Sequence, residues 1–190
     1  MSVETKQIRY PSEADAKAAY FDYVEKHKIA IKDAFNEYGE KFANCLGVDV
    51  IKLGKLIDIH DDDKLVVEDE IKGYIANFYP YEGDGIPDDS YGLRRAIYEK
   101  ALLNHYHQNP HHPEFWVYVD AEHNRLDCKP MDPIYVCEMI LDWIANENRE
   151  GHLPTTEYWR LNRSSKYIHQ DTIVLIDMII DMMNEEKESA

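Results

Sequence analysis

Residues 20–42 read YFDYVEKHKIAIKDAFNEYGEKF. Within them Tyr20, Tyr23, Val24, Ile31, Ala34, Phe35, Tyr38 and Phe42 recur at the three- and four-residue spacing of one helix face. Glu25, Lys26, Lys32, Asp33, Glu37 and Glu40 fall on the other face. Ser12, with Asp15 three residues on, predicts the start of this helix, and Gly47 predicts its C-cap. One polar residue interrupts the apolar stripe: His27 stands in line with Tyr20, Val24 and Ile31, so it faces the core.

The same period recurs outward from this segment. A second helix is expected from about Asp49 to His60, with Leu53, Leu56 and Ile57 inward. A third, from about Glu68 to Tyr79, turns Ile71, Tyr74, Ile75 and Phe78 inward. A fourth, from about Ser90 to His107, uses Leu93, Ile97 and Ala101, and Asn109-Pro110 ends it. Alternation around Glu122-His123-Asn124 predicts a short β-hairpin between residues 116 and 128. Asp132-Pro133 opens a fifth helix reaching about Asn146. Two more helices are expected near Thr155–Tyr167 and Asp171–Glu186, and the charged end from Asn184 to Ala190 is expected to fray. The fold class is all-α (mainly α), a bundle of about six to seven helices in a single domain over residues 1–190.

The 190 residues carry 21 Lys and Arg against 37 Asp and Glu, a formal net charge of −16. So acidic a chain is a poor general nucleic-acid binder, because that affinity rests on Lys and Arg neutralising phosphates. It is equally unsuited to anionic membrane surfaces. No apolar run reaches a membrane span and Met1–Tyr10 carries no signal-peptide pattern, so a soluble, cytoplasmic protein is expected. Cys45, Cys128 and Cys137 match no Cys-x-x-Cys spacing and read as reduced thiols.

Further polar groups fall on apolar faces. His60 follows Leu53, Leu56 and Ile57 inward, with Asp61 beside it; Asp62 and Asp63 read as an exposed acidic loop. His105 follows Ile97 and Ala101 at four-residue spacing, and His111-His112 occupy a Pro-bounded turn. On the fifth helix Glu138 and Asp142 share a face with Ile134, Leu141 and Ala145. Burying such carboxylates is costly unless a cation or hydrogen bonds compensate. Imidazole and carboxylate together suit a divalent transition metal, Fe, Mn, Zn or Ni, as one or two ions. His107, His123, His152 and His169 read as surface residues. There is no His-Glu-x-x-His, Walker-type loop or Gly-x-Ser-x-Gly elbow.

His27, then His60-Asp61, then Asp142 stand in the order found in the HD-domain metal-dependent phosphohydrolase superfamily, which this chain resembles. His60-Asp61-Asp62-Asp63-Lys64 is similar to the His-Asp-x-x-Lys of its binuclear branch, and His105 and His111-His112 are similar to that branch's later histidines. Within or near the superfamily, the chain looks closest to a small family of uncharacterised bacterial and phage proteins. The segments that carry this are His60-Asp61-x-x-Lys64, His105-x-x-x-Asn109-x-His111-His112-x-Glu114-x-Trp116 and Glu138-Met139-x-x-Asp142-Trp143. The Gly-Tyr-Pro signature of the cyclic-dinucleotide enzymes is replaced by Pro113-Glu114-Phe115-Trp116, which argues against cyclic-di-GMP as substrate.

The resemblance implies an HD-domain-like helical bundle and metal-assisted hydrolysis of a small phosphorylated substrate, a nucleotide or another phosphate ester. It implies His27, His60, Asp61, His105, His111, His112 and Asp142 as ligands of one or two ions. Asp61 and Lys64 would be catalytic, Lys64 holding the water or a phosphate oxygen. Glu138 would orient a ligand histidine from behind, and Arg94 and Arg95 are candidate phosphate contacts. Two other readings share the same residues: a di-iron oxygenase of the same superfamily, and a non-enzymatic binding module that uses metal for stability.

Overall fold

The computed structural model describes residues 9–87, 90–150 and 152–189. Among them are seven helices of eight residues or more: α1 (Glu13–Leu46), α2 (Val50–Ile59), α4 (Glu68–Phe78), α5 (Tyr91–Gln108), α6 (Pro133–Glu150), α7 (Thr155–Asn162) and α8 (Gln170–Ser189). A single-turn helix, α3 (Asp63–Val66), lies between α2 and α4. The architecture is mainly α with one antiparallel hairpin, β1 (Val117–Asp120) and β2 (Arg125–Cys128), in which Val117 pairs with Cys128. Asn124 turns the hairpin with a φ of 49°, a conformation that asparagine tolerates better than most residues. No helix among the described residues is long and apolar enough to cross a membrane.

The caps follow local chemistry. Ser12 Oγ accepts from the Asp15 amide at the start of α1, and Gly47 leaves the helix at φ 67°. Asp49 accepts from the amides of Ile51 and Lys52 at α2, and Asp132 accepts from the Ile134 amide at α6. Two lengths depart from the sequence reading. Helix α6 runs on to Glu150, and α7 stops at Asn162. Helix α8 continues through Ser189.

The chain forms two compact units. The first joins the chain up to Lys26 with Asp61–His105; the second joins His27–His60 with the chain from Tyr106 on. In the first unit Ala16, Tyr20, Val24, Ile71, Tyr74 and Ile75 form the buried core. Tyr20 stacks on Tyr74 with ring centroids 5.5 Å apart, and its hydroxyl donates to the Lys64 carbonyl at 3.0 Å. Helices α4 and α5 meet at Gly73, where a Cβ would come within 2.2 Å of the Ala101 side chain. Any larger residue there would force the helices apart.

Helix α5 differs from the sequence reading. Leu93 and, on α4, Phe78 are exposed, whereas Arg94 is buried. Arg94 reaches Asp84 at 2.9 Å and donates to the carbonyls of Ala76 and Ile86. Arg9 bonds Asp84 and the Tyr81 and Ile86 carbonyls from the other side. The 80–87 loop therefore closes on Asp84 between two arginines. Arg94 is a structural cation rather than a phosphate contact, and Arg95 is an exposed partner of Glu99.

The second unit is organised around α6. Val136, Cys137, Met139, Ile140 and Leu141 are all buried in a core shared with residues of α1, α2, α7 and α8. Trp159 of α7 is buried in the same core and donates its indole N–H to Asp177 of α8 at 2.8 Å. Arg163 pairs with the same carboxylate. Because α6 is apolar over so much of its circumference, its two inward carboxylates, Glu138 and Asp142, have little water near them.

Candidate metal centre

In the second unit three side chains from three helices converge. His27 enters from α1, His60 caps the C-terminus of α2, and Asp142 lies in the third turn of α6. His27 Nε2 is 3.0 Å from Asp142 Oδ1, His60 Nε2 is 3.8 Å from the same oxygen, and the two Nε2 atoms are 3.4 Å apart. His60 is fixed from both ends. Lys28 donates to its backbone carbonyl at 3.0 Å, and Glu138 Oε1 stands 3.0 Å from its Nδ1. His111 lies over His60 with ring centroids 4.4 Å apart, its Nδ1 3.5 Å from Glu138. His112 is half-buried between His111 and Tyr106.

The donor set fits a metal. With ligand bonds of about 2.0–2.2 Å, a tetrahedral ion has ligand-to-ligand edges of about 3.4 Å. The observed edges of 3.0, 3.4 and 3.8 Å bracket that value. Glu138 against His60 Nδ1 leaves Nε2 as the atom facing inward, which is how carboxylates orient ligand imidazoles. Burial alone would raise the Asp142 carboxyl, but the contacts with His27 and His60 outweigh it and hold the group well below the ordinary carboxylate range.

The first unit holds a second cluster. After His60 the backbone turns through Asp61 in the left-handed region, φ 58°. Such a residue costs about 1 kcal/mol or more unless it is glycine, and it concentrates at functional sites. Asp61 and His105 are both almost fully buried. His105 Nε2 is 3.3 Å from Asp61 Oδ1, and Lys64 Nζ is 2.6 Å from Asp61 Oδ2. His105 Nδ1 is 2.8 Å from Asp63 Oδ2 and 3.6 Å from Glu70 Oε2. Burial and Lys64 push the imidazole pKa down, but Asp63, Glu70 and Asp61 push it up by more, so the net shift is upward.

Several placements differ from the sequence reading. Asp63 is no exposed loop residue: it opens α3 and meets His105. Lys64, expected to hold a water or a phosphate oxygen, has a largely covered side chain paired with Asp61. Glu70 escaped the sequence reading altogether. It lies one helical turn before Tyr74 on the face that carries Ile71 and Ile75, the same signal that singled out His27. Asp62, His107 and His123 are exposed, as the sequence suggests.

The profile of the DUF5662 family, a family of unknown function, matches residues 16–182, and the chain belongs to that family. No curated protein and no solved structure shows significant similarity to it.

Proposed function

We propose that the protein is a metal-dependent phosphohydrolase acting on a nucleotide or another small phosphate ester. The observation that carries this reading is the convergence of His27 Nε2, His60 Nε2 and Asp142 Oδ1 within 3.8 Å of one another in a buried setting. Two imidazole nitrogens and a carboxylate oxygen that close leave room between them for one cation, and the two-nitrogen set favours Fe, Zn, Ni or Mn. A bound divalent ion supplies a water of pKa about 7 and offsets charge on phosphoryl oxygens. The chain's own residues would do the rest. His27, His60 and Asp142 hold the ion, and Glu138 keeps His60 turned with Nε2 inward.

The same reading extends to the first unit, where Asp61 and His105 form a second cation centre. Lys64, held at 2.6 Å by Asp61, is the nearby ammonium suited to meet a phosphoryl oxygen. The left-handed backbone at Asp61 supports a working role for that residue, because such conformations concentrate at functional sites.

The test is hydrolysis of a panel of mononucleotides, cyclic nucleotides and sugar phosphates by protein stripped with chelator and reloaded with Fe²⁺, Mn²⁺, Zn²⁺ or Ni²⁺. Metal-dependent hydrolysis, read as phosphate release from the monoesters or as ring opening of the cyclic nucleotides, is expected, and His60→Ala and Asp142→Ala are expected to abolish it with both variants folded. Stoichiometric metal with no hydrolysis anywhere in the panel would sink the phosphohydrolase reading while leaving the metal centre in place.

A further inference from the structure

Glu70 is fully buried, yet among the described residues neither of its carboxylate oxygens accepts a hydrogen bond. A carboxylate taken out of water without donors is expensive, and such a group calls for an explanation. Its position supplies part of one. Glu70 is the third residue of α4, where the helix dipole favours an anion. The dipole does not explain why this side chain, unlike Glu68 and Asp69 in the same turn, points inward. The side chain it meets is His105, whose Nδ1 lies 3.6 Å from Oε2. Asp63 approaches the same nitrogen at 2.8 Å. One imidazole nitrogen is thus backed by two carboxylates from two helices, α3 and α4, while the ring's other nitrogen faces Asp61 at 3.3 Å.

We propose that Asp63 and Glu70 are positioning residues, a two-carboxylate brace that turns His105 so that Nε2 is presented with Asp61 to a divalent cation. The inference rests on the reading of Asp61 and His105 as a cation centre. Asp63 accepts the Nδ1–H directly. Glu70 lies behind it as a second carboxyl group, closing the buried side against rotation. A ligand imidazole held this way binds metal more tightly, and loss of such a partner typically weakens binding about 10–100-fold. Neither carboxylate touches the cation in this arrangement. Both act through the ring.

The test uses full-length protein carrying ¹⁵N-histidine, stripped with chelator and titrated with Zn²⁺ alone, with the His105 ring signals assigned by their loss in His105→Gln. In the wild type, Zn²⁺ is expected to move His105 to the form with Nδ1 protonated and Nε2 ligated. Chelator competition then gives the Kd read at that ring. Asp63→Ala and Glu70→Leu are expected to raise it at least about tenfold, and Asp63→Ala also to mix the two ring tautomers. Glu70→Gln, nearly isosteric, serves if the leucine variant does not fold. Its neutral amide is expected to raise the Kd at least about threefold, a part of the loss that removing the partner outright causes. A Kd within about twofold of wild type in the Asp63 and Glu70 variants overturns the brace and leaves the cation centre standing. If Zn²⁺ never perturbs the His105 ring in wild type, the cation reading of this unit fails, and the brace with it.

Discussion

Loading the His27–His60–Asp142 centre is expected to raise the melting temperature of the protein, and Asp142→Asn is expected to remove that gain. With free Zn²⁺ held at about a hundred times the wild-type Kd, binding to the folded state alone adds about 2.7 kcal/mol. Unfolding entropy runs near 2.1 cal/mol/K per residue, about 0.4 kcal/mol/K for 190 residues. The expected shift is therefore about 7 °C. Asp142 Oδ1 is the atom both Nε2 atoms approach, at 3.0 and 3.8 Å, and it carries the only negative charge in that triangle. An asparagine keeps the shape and loses the charge. If affinity falls about a hundredfold, the same free Zn²⁺ only half-saturates this site, and its share of the gain drops to about 0.4 kcal/mol, or about 1 °C, while any gain from the Asp61–His105 centre is common to both proteins. The assay is calorimetry on chelator-stripped protein with buffered Zn²⁺, each variant compared with its own metal-free form. The wild-type shift should exceed that of Asp142→Asn by about 6 °C. Equal shifts in the two proteins, or none in the wild type, refute the reasoning.

Three further outcomes follow from the packing. Arg94→Leu should cost about 3 kcal/mol in urea denaturation, because it leaves Asp84 buried with half its cationic support; a loss under about 1 kcal/mol contradicts the structural role given to this arginine. Burial pushes the Asp84 carboxyl up, but the bonds from Arg94 and Arg9 outweigh it and hold the group below its ordinary value. A carboxyl lowered in the folded state stabilises above its unfolded pKa and loses that contribution as pH falls through the folded value. Asp84→Asn should therefore be less stable than wild type at pH 7, with the gap closing below about pH 4; a gap independent of pH contradicts the ion pairs. Burial pushes the Cys137 thiol up to about 12, so Ellman's reagent at pH 8 should leave it untouched until denaturant is added, and its modification in the native protein would contradict the packing of α6.

Most of the helical frame is legible in the sequence because its signals are local. The apolar stripe of α1, the Asp49 and Asp132 caps and the Asn-Pro stop after α5 each act within a turn of the residues that carry them. What the sequence misplaces is decided by contacts far apart in the chain. Arg94 looks like a solvated arginine, and only Asp84, ten residues before it, and the Ala76 and Ile86 carbonyls make its burial affordable. Leu93, its neighbour, is turned outward by the same rotation of α5. The end of α7 at Asn162 is likewise tertiary: Arg163 turns to Asp177 of α8 instead of continuing the surface pattern.

The candidate ligands were legible for one physical reason, and the same reason explains what was missed. A histidine on an apolar stripe is conspicuous because imidazole is half apolar and there are few to explain; His27, His60 and His105 carry that signal. An acidic residue in a chain with 37 of them is easily assigned to solvent. Asp63 sits in the run Asp61-Asp62-Asp63, and Glu70 in the run Glu68-Asp69-Glu70, each beside a residue that truly is exposed. Helical phase separates them: Glu70 is four residues from Tyr74 and belongs to the buried face, whereas Glu68 and Asp69 do not. Asp63 had no such clue, because the four-residue helix that turns it toward His105 is too short to carry a period. Its direction comes from the left-handed backbone at Asp61, which redirects the chain between the end of α2 and the start of α3. Both carboxylates meet the same imidazole, so His105, conspicuous in sequence, is the residue that ties Asp63 and Glu70 to the candidate site.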